Sequence, residues 1–215
     1  MSHLRTWGSA YLSRRQQGRF NFREYPRMSR KVIATVVAGF ALAVSVGTFT
    51  SAIAAEKTVQ VGGAAMYPSK NIIQNAVNSK DHTTLVAAVK AAGLVDTLSS
   101  PGPFTVFAPT NAAFGKLPAG TVDTLVKPEN KDTLTKILTY HVVSGRMSSM
   151  DIAAKIKAGG GKATLKTVQG EDLTATMKNG ALILTDAKGG MSKVTIANVF
   201  QSNGVIHVVD TVLMP

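Results

Sequence analysis

At 215 residues the chain has room for one domain or two small ones, and its 24 Lys and Arg against 12 Asp and Glu give a formal net charge of +12. It contains no cysteine, which excludes disulfides, thiol catalysis, cysteine zinc sites and a lipid-modified cysteine anchor. The charge is uneven: residues 1–55 carry a net of +7 and residues 56–215 a net of +5. Beyond residue 55 the single arginine is Arg146 and the lysines are scattered along the chain. Nucleic-acid binders cluster Lys and Arg and read base edges with Arg, so no nucleic acid is expected as a partner.

The chain begins with a leader pattern. Arg30 and Lys31 precede the apolar run VIATVVAGFALAVSV, and Ala52-Ile53-Ala54 offers an A-x-A cleavage site. This is the layout of a secretory signal peptide. It predicts removal near Ala54 or Ala55 and a secreted or periplasmic mature chain. Met28 stands just before the run, and a start there would make residues 1–27 a surplus extension. Arg14-Arg15 hints at a twin-arginine signal, but the apolar run begins too far downstream. The alternative is a retained anchor, because residues 32–55 carry no charge over 24 positions, enough to span a bilayer.

Residues 56–68 read as a flexible arm, broken by Gly62-Gly63 and Pro68. Ser69 is a candidate cap for a helix whose Ile72, Ile73 and Ala76 share a face. Asp81 is a candidate cap for the next, with Leu85, Val86, Val89 and Ala92 at helical spacing and Gly93 to end it. The loop SSPGP then leads into FTVFAPTNAAF (104–114). Phe104, Val106 and Ala108 point one way in this strand, and Thr105 and Phe107 the other. Pro109 ends it, Thr110 caps a short helix, and Phe114 folds back onto the strand. A short helix at 121–126 and a fresh start at Pro128 follow. Leu134, Ile137 and Leu138 mark a further helical face running into Tyr140-His141.

A last helix is expected over 151–158, stopped by Gly159-Gly160-Gly161. From Lys162 onward the apolar period is two. Asn179-Gly180 signals a type I′ hairpin. With those residues in the turn, Met177 pairs with Leu182 and Ala175 with Leu184, placing every apolar partner on one side. Residues 194–200 and 205–213 supply two more strands. Helices crowd the first half and strands the second, which predicts one α+β domain over 69–215.

Three of these stretches, FTVFAPTNAAF, YHVV (140–143) and NGVIHVVD (203–210), resemble the signatures of the fasciclin domain family in kind, order and separation. The likeness runs from about residue 67 to the end. It implies helices packed on a two-sheet β wedge or sandwich, and an extracytoplasmic adhesion or cell-surface interaction module rather than an enzyme. The motif positions it marks are Thr105, Phe107, Pro109, Thr110, Asn111, Phe114, Tyr140, His141, Asn203, Gly204, His207 and Asp210. In animal relatives, Tyr-His and an Asp-Ile pair just before the last motif are associated with integrin-type recognition. Tyr140-His141 matches, but this chain has Asn198-Val199 at the second place. Asn lacks the carboxylate that such receptors capture through a metal ion. Tyr140, His141, Asn198 and Val199 are thus the candidate contact residues, the first two standing against core support of the strand ends.

No catalytic or dinucleotide motif is present, and no enzyme activity, cofactor or metal is expected. His82 falls on the first turn of a helix, where solvation is the ordinary outcome. His141 and His207 lie in strand-like apolar surroundings and read as buried, hydrogen-bonded structural histidines. Asp210 is three residues from His207, on the opposite face of a strand. A sugar site would want aromatic platforms, and beyond Trp7 of the leader there is no tryptophan. Tyr67 alone looks free. The partner expected is therefore a cell-surface protein or an anionic surface polymer, met by a monomer. The rival function is a carrier holding a small apolar ligand in a pocket between helices and sheet.

Overall fold

The computed structural model describes residues 56–215. The expected signal segment, its cleavage near Ala54 or Ala55 and the 1–27 extension lie outside the described residues. Among the described residues no helix is long and apolar enough to cross a membrane.

The stretch read as a flexible arm is instead a hairpin of β1 (Val59–Val61) and β2 (Ala64–Met66). The two glycines expected to break structure make its turn, because Gly62 and Gly63 both take positive φ. Val61 and Met66 are buried, so the hairpin is part of the core. The first helix, α1 (Ile72–Ala76), is capped by Asn71 rather than Ser69, in a capping box with Gln74. A 3-10 turn follows at Lys80–His82, and then α2 (Thr83–Ala92), which ends at Gly93 in the left-handed conformation. Asp81 does not cap α2. α3 (Val95–Ser99) leads to β3 (Phe104–Pro109), after which Thr110 caps α4 (Asn111–Gly115) through the Ala113 amide at 3.2 Å. α5 (Thr121–Leu125) and α6 (Lys131–Tyr140) complete the helical half.

The remainder is β4 (Val142–Ser144), α7 (Ser149–Ala158), β5 (Lys162–Lys166), β6 (Asp172–Lys178), β7 (Ala181–Thr185), β8 (Met191–Gln201) and β9 (Gly204–Val209). Seven strands form one sheet in the order β4-β3-β9-β8-β7-β6-β5, antiparallel except for β3 beside β9. The sheet curls until its two edges approach, joined by a bridge between Val143 and Thr167. The architecture is α+β, with a rolled, nearly closed sheet, the helices of the first half on one face of it, α7 on the other, and the small hairpin as a second sheet.

Two cores result. Val106, Ala108, Ile206 and Val208 face the helices, with Phe114, Leu134, Ile137 and Leu138 among their partners. Phe107, Val209, Leu165, Leu173, Ala175 and Leu184 fill the inside of the roll with Ile152 and Ile156 of α7. β3 and β9 are therefore covered on both faces, which explains why FTVFAP and GVIHVV are apolar almost throughout. The alternation read for β3 holds: Val106 and Ala108 go to one core and Phe107 to the other. The hairpin register also holds, with Met177 opposite Leu182 and Ala175 opposite Leu184, and with Asn179 and Gly180 at positive φ. Met177 departs from the pattern, being exposed near the tip of the hairpin.

Candidate functional site

The polar residues of the motifs bind backbone groups that would otherwise be stranded. Tyr140 is the last residue of α6, not part of a strand, and is 0% exposed. Its hydroxyl donates to the Asp172 carbonyl at 3.0 Å and accepts from the Ala187 amide at 3.1 Å. His141 follows as the C-cap of α6, also outside a strand, and is 3% exposed. One ring nitrogen, Nδ1, donates to the Ile137 carbonyl at 2.8 Å, and Nε2 accepts from the Leu213 amide at 3.0 Å. That pairing fixes a neutral ring that ties α6 to the C-terminal segment. Burial pushes the His141 pKa down from 6.5 to about 4, with the Ile137 carbonyl and nearby Asp186 pulling weakly the other way.

His207 uses the opposite tautomer. Its Nε2 donates to the Met147 carbonyl at 2.9 Å, while Nδ1 accepts from the Asn198 amide at 3.4 Å. Phe107, its partner across the parallel pair, stacks on it at 5.6 Å. Burial lowers the His207 pKa too. Both histidines are thus buried and hydrogen-bonded. Asp210 points elsewhere: it accepts from the Lys193 amide at 2.9 Å and pairs with Lys116 at 3.6 Å.

The expected contact residues do not form a surface. Tyr140 and His141 are buried, and Val199 is 1% exposed. Asn198 sits at positive φ, where β8 bulges against β9. Its side-chain oxygen accepts from the Ser149 amide at 2.7 Å, and its nitrogen donates to the Ser149 hydroxyl at 2.8 Å. An amide can do both and a carboxylate cannot, so Asn198 anchors the start of α7. The polar atoms of Tyr140, His141 and Asn198 are hydrogen-bonded internally, and Val199 packs in the core.

The other motif positions make contacts within the fold. Thr105 donates to the Gly145 carbonyl at 2.6 Å and accepts from the Met147 amide at 2.9 Å. Asn203 accepts from the Ile72 amide at 3.0 Å and donates to the Leu98 and Ser100 carbonyls at 2.8 Å each. Gly204 lies so close to the Phe104 carbonyl that a Cβ would collide with it. Asn111 has a role that its own segment does not reveal. Its side chain accepts from the Thr84 amide at 3.0 Å and donates to the Lys80 carbonyl at 2.8 Å, so it caps α2 from the next element.

Two features went unread in the sequence. His82 is 3% exposed rather than solvated, because the 3-10 turn folds it inward under the hairpin. The lysines are not scattered in space. Successive register pairs place Lys162, Thr176, Ile183 and Lys193 in one row across β5, β6, β7 and β8. Lys166 and Lys178 lie on the same outer face by strand alternation, and all four lysines are exposed. Asp172 lies 3.6 Å from Lys166, and Asp210 is at the Lys193 amide. The signal was available in KATLK, whose buried Ala163 and Leu165 alternate with Lys162 and Lys166. Tyr67, taken to be free, has Lys70 Nζ over its ring at 4.9 Å, and Phe200 is exposed as well. No group of three His, Cys, Asp or Glu that could hold a metal ion occurs among the described residues.

Comparison with known proteins agrees with the motif reading. The chain is 45% identical over 187 residues to Protein sll1483 of Synechocystis, covering 87% of this chain and 97% of that one. It is 41% identical over 145 residues to the immunogenic protein MPB70 of Mycobacterium bovis, covering 65% and 66%. The cell surface glycolipoprotein MPB83 of Mycobacterium bovis is 35% identical over 175 residues, with 79% and 72% covered. Among solved structures, a FAS1 domain pair from the insect cell adhesion molecule fasciclin I superposes with a TM-score of 0.61 at 16% identity, over 75% of this chain and 59% of that one. The fasciclin domain profile matches residues 80–215. With the two-core fold and the buried Tyr-His and Asn-Gly motifs described above, this places the chain in the fasciclin domain family.

Proposed function

We propose that the protein is a non-catalytic binding module of the cell exterior, and that it engages an anionic surface polymer through the outer face of β5–β8. The observation that carries this reading is the register, which gathers Lys162, Lys166, Lys178 and Lys193 on one exposed face, with Asp172 beside Lys166 and the Asp210 carboxylate on the Lys193 amide. Thr164, Thr174 and Thr176 on the same face add hydroxyls that suit sulfate, carboxylate or sugar oxygens. A cationic sheet face of this kind concentrates polyanions at its surface. The naming of MPB83 as a cell surface glycolipoprotein and of fasciclin I as a cell adhesion molecule supports an exterior setting. In this reading the leader is removed near Ala54 or Ala55, which an intact mass of the mature protein checks.

The test is binding of the protein to whole cells and to their extracted acidic polymer, at low and high salt. The double reversal Lys162→Glu with Lys193→Glu should weaken binding by about tenfold or more, at roughly 1 kcal/mol per lysine, while leaving the thermal midpoint unchanged. Binding that the double reversal does not alter would remove this face from the function. Binding to cells stripped of acidic polymer would point to a surface protein instead.

A further inference from the structure

The outer face of the sheet carries a second pattern besides its lysines. Thr164 of β5 stands opposite Thr174 of β6, which stands opposite Thr185 of β7, and Met191 of β8 ends the row. Two residues along each strand runs the parallel row of Lys162, Thr176, Ile183 and Lys193. Leu165, Leu173, Ala175 and Leu184 alternate with these positions and fill the roll, so both rows point outward. Thr164 is exposed, and Thr174, Thr176, Ile183 and Thr185 are half-buried. With adjacent strands roughly 4.8 Å apart, the two rows make a ribbon about 14 Å long that crosses four strands.

The cations collect at the two ends of this ribbon. Lys162 and Lys166 lie on β5, and Lys193 lies on β8. Lys178 springs from β6, but its Nζ is 3.8 Å from the Met191 sulfur and so reaches the β8 end too. The middle is uncharged: threonine sets a hydroxyl that donates and accepts beside a methyl group, and Ile183 adds apolar surface. A polyphosphate carries an anion on every unit, and the units over this middle would give up hydration without meeting a cation. Asp172 and Asp210 repel dense negative charge as well. An acidic polysaccharide places hydroxyls and C–H groups between its acidic groups, which matches the ribbon. Neither row contains an aromatic ring for a neutral sugar to stack on, so charge has to supply the attraction.

We propose that the polymer held by this face is an acidic polysaccharide lying across the strands from β5 to β8, its acidic groups at the lysine-bearing ends and its sugar hydroxyls on Thr174 and Thr176. The inference rests on the reading of the lysine face given above and narrows it to one class of polymer. Two forces of different salt response then hold the chain. Attraction to the exposed lysines is screened by salt. Hydrogen bonds between sugar and threonine hydroxyls join neutral groups and carry no such screening. A polymer that meets only the lysines keeps the first force and lacks the second.

The test uses the full-length chain with polygalacturonate as the probe and inorganic polyphosphate as the control, compared by calorimetry at low and high salt. Polygalacturonate should keep saturable binding at the higher salt, where polyphosphate loses it. Thr174→Val with Thr176→Val keeps the branched shape and removes the hydroxyls. It should weaken polygalacturonate binding about fivefold or more, the worth of one hydrogen bond at least, and leave polyphosphate binding at low salt unchanged. Equal loss of the two polymers with salt, or polygalacturonate binding indifferent to the valine pair, would overturn the proposal and leave the lysine face standing. Binding of neither polymer, or binding that Lys162→Glu with Lys193→Glu does not weaken, would remove the face and the proposal with it. Should the valine pair fail to fold, the salt response of the two polymers on the unaltered chain decides.

Discussion

Acid should begin to loosen this protein near pH 6.5, above the range in which carboxylates titrate. His141 is held neutral by full burial, with its pKa brought from 6.5 to about 4. Above pH 6.5 the ring is neutral in both folded and unfolded chains, and its share of the stability is complete. As the pH falls below 6.5 the unfolded chain takes up a proton that the folded chain refuses until about pH 4, so stability is lost across that window. Two and a half pKa units correspond to roughly 3 kcal/mol. That is a large part of the 5–15 kcal/mol typical of a domain. His82 and His207 are also depressed by burial and add loss in the same direction. Urea unfolding followed by far-ultraviolet circular dichroism at intervals from pH 7.5 to 4 measures the effect. His141→Gln supplies an amide that can serve both Ile137 and Leu213 without titrating, and should remove the His141 share of the slope. A stability that stays flat from pH 7 to 4.5, or a slope indifferent to His141→Gln, would refute the reasoning.

Tyr140→Phe keeps the buried ring but strands the Ala187 amide and the Asp172 carbonyl. It should cost about 1–3 kcal/mol in urea unfolding with little change in the secondary-structure signal. Gly204→Ala drives a methyl group into the Phe104 carbonyl at the start of the parallel β3–β9 pair. It should cost about 3 kcal/mol or more, and amide exchange should show the loss first in β3 and β9; a change below about 1 kcal/mol would mean that the pair can shift at that point.

Much of the fold was legible because it is written in local chemistry. Asn179-Gly180 supports positive φ at both turn positions, so the register of the β6–β7 hairpin followed from two residues. Thr110 and Gly93 act on groups within their own helix ends, and Leu134, Ile137 and Leu138 repeat at the helical period. The hairpin at 59–66 was not legible as structure. Gly62-Gly63 serves a linker as well as a turn, and what selects the turn is the burial of Val61 and Met66 against distant helices. His82 shows the same limit: its place beside a helix start says nothing of the core that closes over it.

What the sequence alone determined was the α+β class and the three motifs, and hence the family. These depend on residue type and short spacing, which the chain displays directly. The tertiary structure decided that Tyr140 and His141 face inward, that Asn198 ties down α7 and Asn111 caps α2, and that four lysines far apart in the chain share one face. It also decided that His82 is buried rather than solvated. Each of these depends on pairing between segments tens of residues apart. No local preference encodes such pairing, because it is set by the joint burial of surfaces that meet only when the chain has folded.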